Sequence, residues 1–207
     1  SSLEFYPTLG PTTGNTSALV RDSNFQPNSL CYFGDTEASE TVFINITSII
    51  CFSPGGSGKV AFSVSKNLKT LEYSTQVFTY YDTSFVSYVS PLSGSEKNYH
   101  ELTLQGSFSA SDSLSCKLGP YEADGVFVSE SSMKCTIPPF GFLQHLRADV
   151  SNQLEVFVSK NKQQYTPTGF EFNYLLVWWE IIENFEISEN HGPEQGGTEV
   201  LVILKGN

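Results

Sequence analysis

The stretches Cys31-Tyr32-Phe33-Gly34 and Ser48-Ile49-Ile50-Cys51-Phe52-Ser53-Pro54 decide the fold, because the chain contains a second copy of both. That copy reads Cys116-Lys117-Leu118-Gly119 and Ser132-Met133-Lys134-Cys135-Thr136-Ile137-Pro138, so a Cys-x-x-Gly opening and a Cys-x-x-Pro closing occur twice. The cysteines lie 20 residues apart in the first copy and 19 in the second. All four cysteines belong to this repeat, and one repeat corresponds to one structural unit.

Other landmarks keep the same order around the cysteine pairs. The segments after the second cysteine are Val60-Ala61-Phe62-Ser63-Val64-Ser65-Lys66-Asn67 and Val156-Phe157-Val158-Ser159-Lys160-Asn161. The copies close on Phe78-Thr79-Tyr80 and Phe172-Asn173-Tyr174. A third copy of the segment that begins each unit starts at Ile187. We therefore expect two complete units and the beginning of a truncated third.

The landmarks also predict the domain boundaries. We expect domain 1 at 1–82, domain 2 at 83–182 and the start of domain 3 at 183–207, and both complete units have an ordinary domain size. The second unit is longer after its last cysteine, which predicts an insertion near 140–152 that lengthens a loop and not the core. The apolar run 175–182 is predicted to form the joint to the third unit, because solvated linkers are polar.

The periodicity of apolar residues predicts strands. Apolar and small or polar residues alternate in Val60–Val64 and in Phe170–Tyr174, as they do in a strand with one buried face. The nearest candidate for a helix is Phe140–Leu146, where Gly141 predicts a turn or two at most. The chain is therefore predicted to be all-β, folded as tandem β-sandwiches.

The order of these motifs resembles the IPT/TIG domain, an immunoglobulin-like module of plexins, Met-type receptors, fibrocystin-like proteins and many protist surface proteins. The resemblance rests on the cysteine motifs, the closing Phe-x-Tyr and the opening Gly192-Pro193-Glu194-Gln195-Gly196-Gly197-Thr198, and it covers nearly the whole chain. It implies an early-set immunoglobulin-like sandwich for each unit. Where the family has Gly-Gly-Thr, the units have Thr12-Thr13-Gly14-Asn15 and Glu96-Lys97-Asn98-Tyr99, so these turns should be built differently.

The cysteines indicate an oxidising compartment. Four cysteines allow three pairings, and the repeat favours Cys31 with Cys51 and Cys116 with Cys135, one disulfide per domain. The alternative is a zinc site, which needs short Cys-x-x-Cys spacings or nearby histidines. The three histidines are scattered over different units, so disulfides are the prediction.

Two N-glycosylation sequons agree with that compartment. Asn15-Thr16-Ser17 and Asn45-Ile46-Thr47 both lie in the first unit, at a turn and in a polar strand. Such triplets also occur by accident, but we expect Asn15 and Asn45 to be exposed and to carry N-linked glycans.

Charge and motif content argue against several functions. The formal net charge of −11 argues against nucleic-acid binding, because an acidic surface repels phosphates. The acids are dispersed, no calcium-binding loop is present, and Asp35, Glu37 and Glu40 form the nearest approach to a metal site. The run 53–58 is rich in glycine but lacks the Gly-Lys-Ser/Thr of a phosphate loop, and no nucleophile motif is found. We expect no enzyme activity, no cofactor and no metal.

Trp178 and Trp179 are candidate interaction residues. Adjacent side chains of a strand point to opposite faces, so one tryptophan would be exposed. They are expected to pack in the joint before the third unit, and the alternative is a contact with a partner chain or glycan. The segment around them is too short to cross a bilayer.

These features predict a structural or adhesive segment of an extracellular or cell-surface glycoprotein, a semi-rigid rod that contacts other protein chains or further IPT/TIG domains. One alternative is a carbohydrate-binding accessory module of a secreted enzyme. Another is a segment of a receptor ectodomain.

Overall fold

The computed structural model describes residues 2–83 and 85–176, together with the backbone of Ile182–Ile187 and Val202–Gly206. The described residues are almost entirely β-strand, with one short helix. Two hydrophobic cores are present, one formed mainly by residues before Tyr81 and the other by residues after it. The prediction of tandem all-β domains is therefore confirmed.

Domain 1 is a sandwich of two sheets. Its strands are β1 (Glu4–Tyr6), β2 (Leu9–Pro11), β3 (Ser17–Arg21), β4 (Leu30–Phe33), β5 (Thr36–Glu37), β6 (Glu40–Asn45), β7 (Ser48–Phe52), β8 (Lys59–Ser65) and β9 (Glu72–Tyr81). The first sheet has the order β1-β3-β7-β6 and the second has the order β2-β9-β8-β4-β5. Alternate residues of β3 and β7, including Val20 and Ile49, are fully buried between the sheets, as the alternating pattern requires.

Domain 2 repeats this arrangement. Its elements are β10 (Val86–Ser90), β11 (Ser93–Ser95), β12 (His100–Gly106), β13 (Ser115–Leu118), β14 (Tyr121–Ser129), β15 (Ser132–Ile137), α1 (Phe140–Leu146), β16 (Gln153–Ser159) and β17 (Thr166–Leu175). The strand β14 pairs first with β13 and then with β15, so it belongs to both layers. Gly125 lies where it changes partner, and a Cβ there would lie 2.9 Å from Leu114 Cβ and 3.1 Å from the backbone carbonyl carbon of Leu114. A larger residue at this position would therefore displace Leu114.

Each domain has one disulfide that joins its two layers. Cys31 on β4 is bonded to Cys51 on β7, and Cys116 on β13 is bonded to Cys135 on β15. All four side chains are buried. The pairing predicted from the repeat is the pairing in the structure, and the described residues include no free cysteine.

The insertion in domain 2 differs from its prediction. Residues Phe140–Leu146 form α1, whose Phe140 and Leu143 are buried in the core of domain 2. The Phe140 ring lies 5.3 Å from that of Tyr174. The expectation that the insertion lengthens only a loop is therefore wrong. Two apolar residues three positions apart form the inner side of a short helix, and Gly141 lies on its exposed side.

Part of the predicted third unit is seen as backbone only. The strands β18 (Ile182–Ile187) and β19 (Val202–Gly206) pair in antiparallel fashion, as β1 does with β3 and β10 with β12. Trp178 and Trp179 lie outside the described residues, as does most of the predicted apolar joint. Among the described residues, no helix is long and apolar enough to span a membrane.

Candidate functional site: the joint between the two domains

The candidate metal-binding acids and the histidine do not form a common site in the described part of the chain. Asp35, Glu37 and Glu40 are exposed, and residues 2–83 and 85–176 contain no group of three side chains that could hold a metal ion. His100 is half-buried, where its Nε2 lies 2.7 Å from the carbonyl oxygen of Ser95. The contacts that call for a functional explanation lie where domain 1 meets domain 2.

The connection between the domains is short and its aromatic residues are buried. Only residues 82–85 separate β9 from β10. Tyr81 and Phe85, at the two ends of this connection, pack edge to face with ring centroids 5.7 Å apart and belong to the core of domain 2. The linker is therefore tied to the second domain by apolar burial, which opposes free rotation.

A buried lysine lies beside these rings. Lys160 follows β16, and its Nζ lies 4.7 Å from the ring centroid of Phe85, 5.5 Å from that of Tyr81 and 6.0 Å from that of Phe108. These distances are within the range of cation–π attraction. We call this arrangement the lysine cage: Lys160 with the rings of Tyr81, Phe85 and Phe108. Because Tyr81 comes from domain 1 and Lys160 from domain 2, the cage fixes the linker against the second sandwich.

An acidic residue, Asp112, lies next to Lys160 in the lysine cage. Asp112 Oδ2 lies 3.9 Å from Lys160 Nζ and accepts a hydrogen bond from the backbone N–H of Ser109. Burial lowers the pKa of Lys160, and the nearby Asp112 offsets part of that shift. Burial likewise raises the pKa of Asp112, against the opposing effects of the Ser109 N–H and Lys160. The ion pair is therefore too long to compensate fully for the loss of hydration.

The loop after Lys160 is built around Asn161. The buried Asn161 side chain accepts hydrogen bonds from the backbone N–H groups of Gln163 and Gln164, both at 3.1 Å. Its amide nitrogen donates to the carbonyl oxygen of Leu9 in domain 1 at 3.2 Å. Lys162 has a φ of 58°, in the left-handed region that asparagine-centred turns often contain. This turn directs the next two side chains toward domain 1.

Those side chains, Gln163 and Gln164, form the principal polar contact between the domains, and we call them the glutamine pair. Gln163 accepts from the backbone N–H of Ser17 and donates to the carbonyl oxygen of Ser17, both at 2.8 Å. Gln164 accepts from Thr16 Oγ1 at 3.1 Å and donates to the carbonyl oxygen of Asn15 at 2.6 Å. Both amides thus bond through donor and acceptor, which fixes their orientation and the register of domain 1 against domain 2.

Two further features complete the joint. The hydroxyl groups of Tyr6 and Ser113 lie 2.5 Å apart and connect the domains beside the lysine cage. A cleft of about 600 Å³ also lies at the joint, between Pro11, Thr83 and Tyr165. Among the residues that line it, Tyr165 alone is titratable, so the cleft does not contain an acid–base pair.

The equivalent loop of domain 1 is built in the same way but has different side chains. Asn67 Oδ1 accepts from the backbone N–H groups of Lys69 and Thr70 at 2.9 and 3.0 Å, and Leu68 has a φ of 61°. Lys69 and Thr70 occupy the positions of the glutamine pair and are exposed. The turn therefore belongs to the fold that both domains share, whereas the contact between domains depends on Gln163 and Gln164.

The predicted glycosylation residues lie on domain 1. Asn15 is exposed, with its backbone carbonyl bonded to Gln164, so it lies beside the joint. Asn45 is exposed at the end of β6 and is not one of the residues that form the joint. The structure therefore places both asparagines where a glycan has access, and their modification remains a prediction.

Sequence reasoning did not find the joint residues. Lys160 and Asn161 belong to a repeated Ser-Lys-Asn triplet, which marked a strand end but not a contact between domains. The usable signal was the difference between the copies, because one residue after that triplet domain 2 has Gln163-Gln164 where domain 1 has Lys69-Thr70.

Comparisons with known proteins agree with this architecture. The plexin A4 extracellular region, in a structure of domains 1 to 8, is similar to this chain with 16% identity and a TM-score of 0.54, over 84% of this chain and 18% of that chain. A structure of its domains 1 to 10 gives the same identity and TM-score over 83% and 16% of the two chains. The chain thus spans less than a fifth of the length of these plexin chains. Comparison with curated proteins yields no significant match.

The model of the IPT/TIG domain family matches residues 2–80 and again residues 84–174. The two matches coincide with the two sandwiches, and the joint lies between them. The chain belongs to the IPT/TIG family and contains two consecutive domains of that family.

Proposed function

We propose that this chain is a spacer segment of an extracellular multidomain glycoprotein, in which tandem IPT/TIG domains form a semi-rigid rod that positions contacts with other proteins. The observation that carries the proposal is the joint. The glutamine pair bonds the backbone of Asn15 and Ser17 and the hydroxyl of Thr16, and the lysine cage buries both ends of the linker. A module that only tethered its neighbours would not need a connection fixed at two separate places.

An extracellular location is supported by the cysteines and the sequons. Disulfides persist in oxidising compartments, and each domain has one buried between its sheets. Asn15 and Asn45 are both exposed, as glycan attachment requires. The similar plexin A4 structures are of an extracellular region, which agrees with the same location for this chain.

Continuation of the rod is supported by β18 and β19. The partner of Ile187 is Val202, just as Phe5 pairs with Val20 and Val89 pairs with Leu104 at the same positions relative to the landmark glycines of the earlier domains. We infer that residues 183–207 begin a third domain. The apolar run 175–182, including Trp178 and Trp179, would form the second joint or a contact with another chain.

We infer a non-catalytic role. The cleft between Pro11, Thr83 and Tyr165 has only Tyr165 as a titratable lining residue, and a second cleft contains the Lys160–Asp112 pair of the joint. That pair lies beneath aromatic rings and stabilises the linker. The other titratable residues that line this cleft are Lys59 and Tyr81, so its lining contains no histidine and no second carboxylate.

Secretion followed by small-angle scattering tests the proposal. The chain would be secreted from eukaryotic cells and compared with a control in which a flexible Gly/Ser segment is inserted after Thr83. We expect the native protein to give a narrow distribution of interatomic distances and the control to give a broader one. Equal distributions would contradict the rod, and failure to be secreted with both disulfides formed would contradict the extracellular location.

A further inference from the structure

The outward side of the first sheet of domain 1 carries an apolar row across all four strands. Tyr6 on β1 pairs with Leu19 on β3, Leu19 pairs with Ile50 on β7, and Ile50 pairs with Val42 on β6. Directly paired residues share one side of a sheet, so these four side chains form a continuous row. Tyr6 is 61% exposed and Val42 is 38% exposed.

The row ends at the edge strand of its sheet. The strand β6 is the last of its sheet, and beyond Val42 the exposed apolar residues are Ile44 on β6 and Ile46 in the turn that follows, which are 47% and 63% exposed. A free edge with apolar side chains can pair with another chain, and natural proteins normally blunt or cover such edges. This surface therefore needs a covering group or a partner.

The equivalent surface of domain 2 shows that the shared fold does not require an apolar row at these positions. The equivalent residues are Ser90, Thr103, Lys134 and Val126, paired in the same order across β10, β12, β15 and β14. Lys134 also forms an ion pair of 2.6 Å with Glu101 on this surface. This row of domain 2 is thus mainly polar, and its one apolar member is Val126 on β14.

Asn45 lies in the next row on the apolar side of domain 1. It pairs with Ser48, which pairs with Arg21, so its side chain points to the same side as Ile50. Asn45 Oδ1 accepts hydrogen bonds from Thr47 N and Thr47 Oγ1 at 2.9 and 2.8 Å. Among the described residues, Asn45 Nδ2 donates no hydrogen bond, and this is the atom to which an N-linked sugar is joined. The equivalent residue of domain 2 is Ser129, followed by Glu130 and Ser131, so a sequon accompanies only the apolar row.

We propose that an N-linked glycan at Asn45 covers the apolar row of domain 1 and the adjacent edge of β6, and so keeps this surface from pairing with other chains. The proposal rests on the extracellular location proposed above, because attachment requires the secretory pathway. Three spacings between four strands give a surface about 14 Å wide, which is small compared with a branched glycan. Sugar C–H groups would pack on the row while the hydroxyl groups remain hydrated.

The experiment compares four secreted forms of the full 207-residue chain. They are the native protein, Asn45→Gln, Asn45→Gln with Ile50→Lys, and Asn15→Gln. The second substitution of the double variant installs the lysine that domain 2 has at the matching position. A fifth form, Ser129→Asn, creates a sequon on the polar surface of domain 2 as a control for the mere presence of a glycan.

Mass spectrometry reports glycan occupancy, analytical ultracentrifugation reports self-association, and a hydrophobic dye reports exposed apolar surface. We expect the native protein to be glycosylated at Asn45 and monomeric. Asn45→Gln should increase dye fluorescence several-fold and associate with rising concentration, and adding Ile50→Lys should reverse both effects. Asn15→Gln and Ser129→Asn should resemble the native protein in both measurements.

Three results would overturn the proposal. One is an unmodified Asn45 in a protein that is glycosylated at Asn15, an outcome that leaves the extracellular location intact. The second is an Asn45→Gln protein that is monomeric with unchanged dye fluorescence. The third is a native protein that is glycosylated at Asn45 and nevertheless self-associates, whereas the double variant is monomeric, which would make a second copy of the chain the occupant of this surface.

Discussion

Replacing the glutamine pair with alanine should loosen the joint without unfolding either domain. Gln163→Ala with Gln164→Ala removes four hydrogen bonds to domain 1, two to Ser17 and one each to Thr16 and Asn15. The two sandwiches keep their cores and disulfides, because neither glutamine belongs to a core. The perturbation therefore acts on the arrangement of the domains.

The size of the effect follows from the number and exposure of these bonds. A net hydrogen bond contributes about 0.5–1.5 kcal/mol, so the four together contribute at most about 6 kcal/mol. Gln163 is exposed and its bonds compete with water, so we expect about 2–3 kcal/mol of lost coupling between domains. That loss corresponds to a roughly 30- to 140-fold shift toward undocked arrangements, at about 1.4 kcal/mol per tenfold.

Distance measurements between spin labels can detect this shift. Labels at the exposed positions Thr75 and Gln144, introduced as non-natural amino acids, would leave the native disulfides unchanged. We expect one narrow distance distribution in the native protein and a broader one in the double variant. The matched control is Lys69→Ala with Thr70→Ala, which alters the equivalent loop of domain 1 and should leave the distribution narrow. Equal widths for all three proteins would refute the role of the glutamine pair.

Three further predictions concern stability. Leu143→Ala should lower the free energy of unfolding in denaturant by about 2–5 kcal/mol because Leu143 is fully buried, whereas Gln144→Ala, at an exposed position, should have little effect; equal costs would show that α1 is not part of the core. Replacing Cys116 and Cys135 by alanine should cost about 2–5 kcal/mol in the same assay, and an unchanged midpoint would contradict it. Burial raises the pKa of Asp112 in the folded state, so the contribution of this carboxyl group to folding stability is complete below pH 3.8 and is lost as pH rises through the folded pKa. The free energy of unfolding of Asp112→Asn, relative to that of the native protein, should therefore increase over this pH window. A difference that stays constant with pH would argue against burial as the cause.

Sequence alone predicted the features that the repeat contains. Both sandwiches and both disulfide pairs follow from two copies of one pattern, because matching cysteines and alternating strands must serve matching structures. The helix α1 lies at the residues predicted to form a turn or two at most, but its packing in the core was missed, because Gly141 counts against a stable helix. A Cβ at Gly141 would have no atom within 4 Å, so this glycine lies in open space and costs only helix propensity. Phe140 and Leu143 supply the burial that compensates for it.

The joint was missed for a different reason. Hydrophobic periodicity reports which residues leave water, whereas Gln163 and Gln164 act through hydrogen bonds to backbone groups of another domain. Such bonds leave no periodic signal in a sequence. They can be found only by asking which polar loop positions differ between two copies that share the same turn.

That comparison between copies also separates folding from function in this chain. Leu68 and Lys162 adopt the same left-handed conformation because the loop geometry demands it, irrespective of their side chains. The residues that follow them are free to differ, and there domain 2 has the glutamines that hold its neighbour. On the outer sheet, Ile50 in domain 1 corresponds to Lys134 in domain 2, although the adjacent cysteines Cys51 and Cys135 serve the same purpose. Inward-facing positions are thus constrained alike in both domains, whereas the loops and outward surfaces determine what each domain contacts. Differences at equivalent outward positions are therefore where the distinct roles of successive IPT/TIG domains in one chain should be sought.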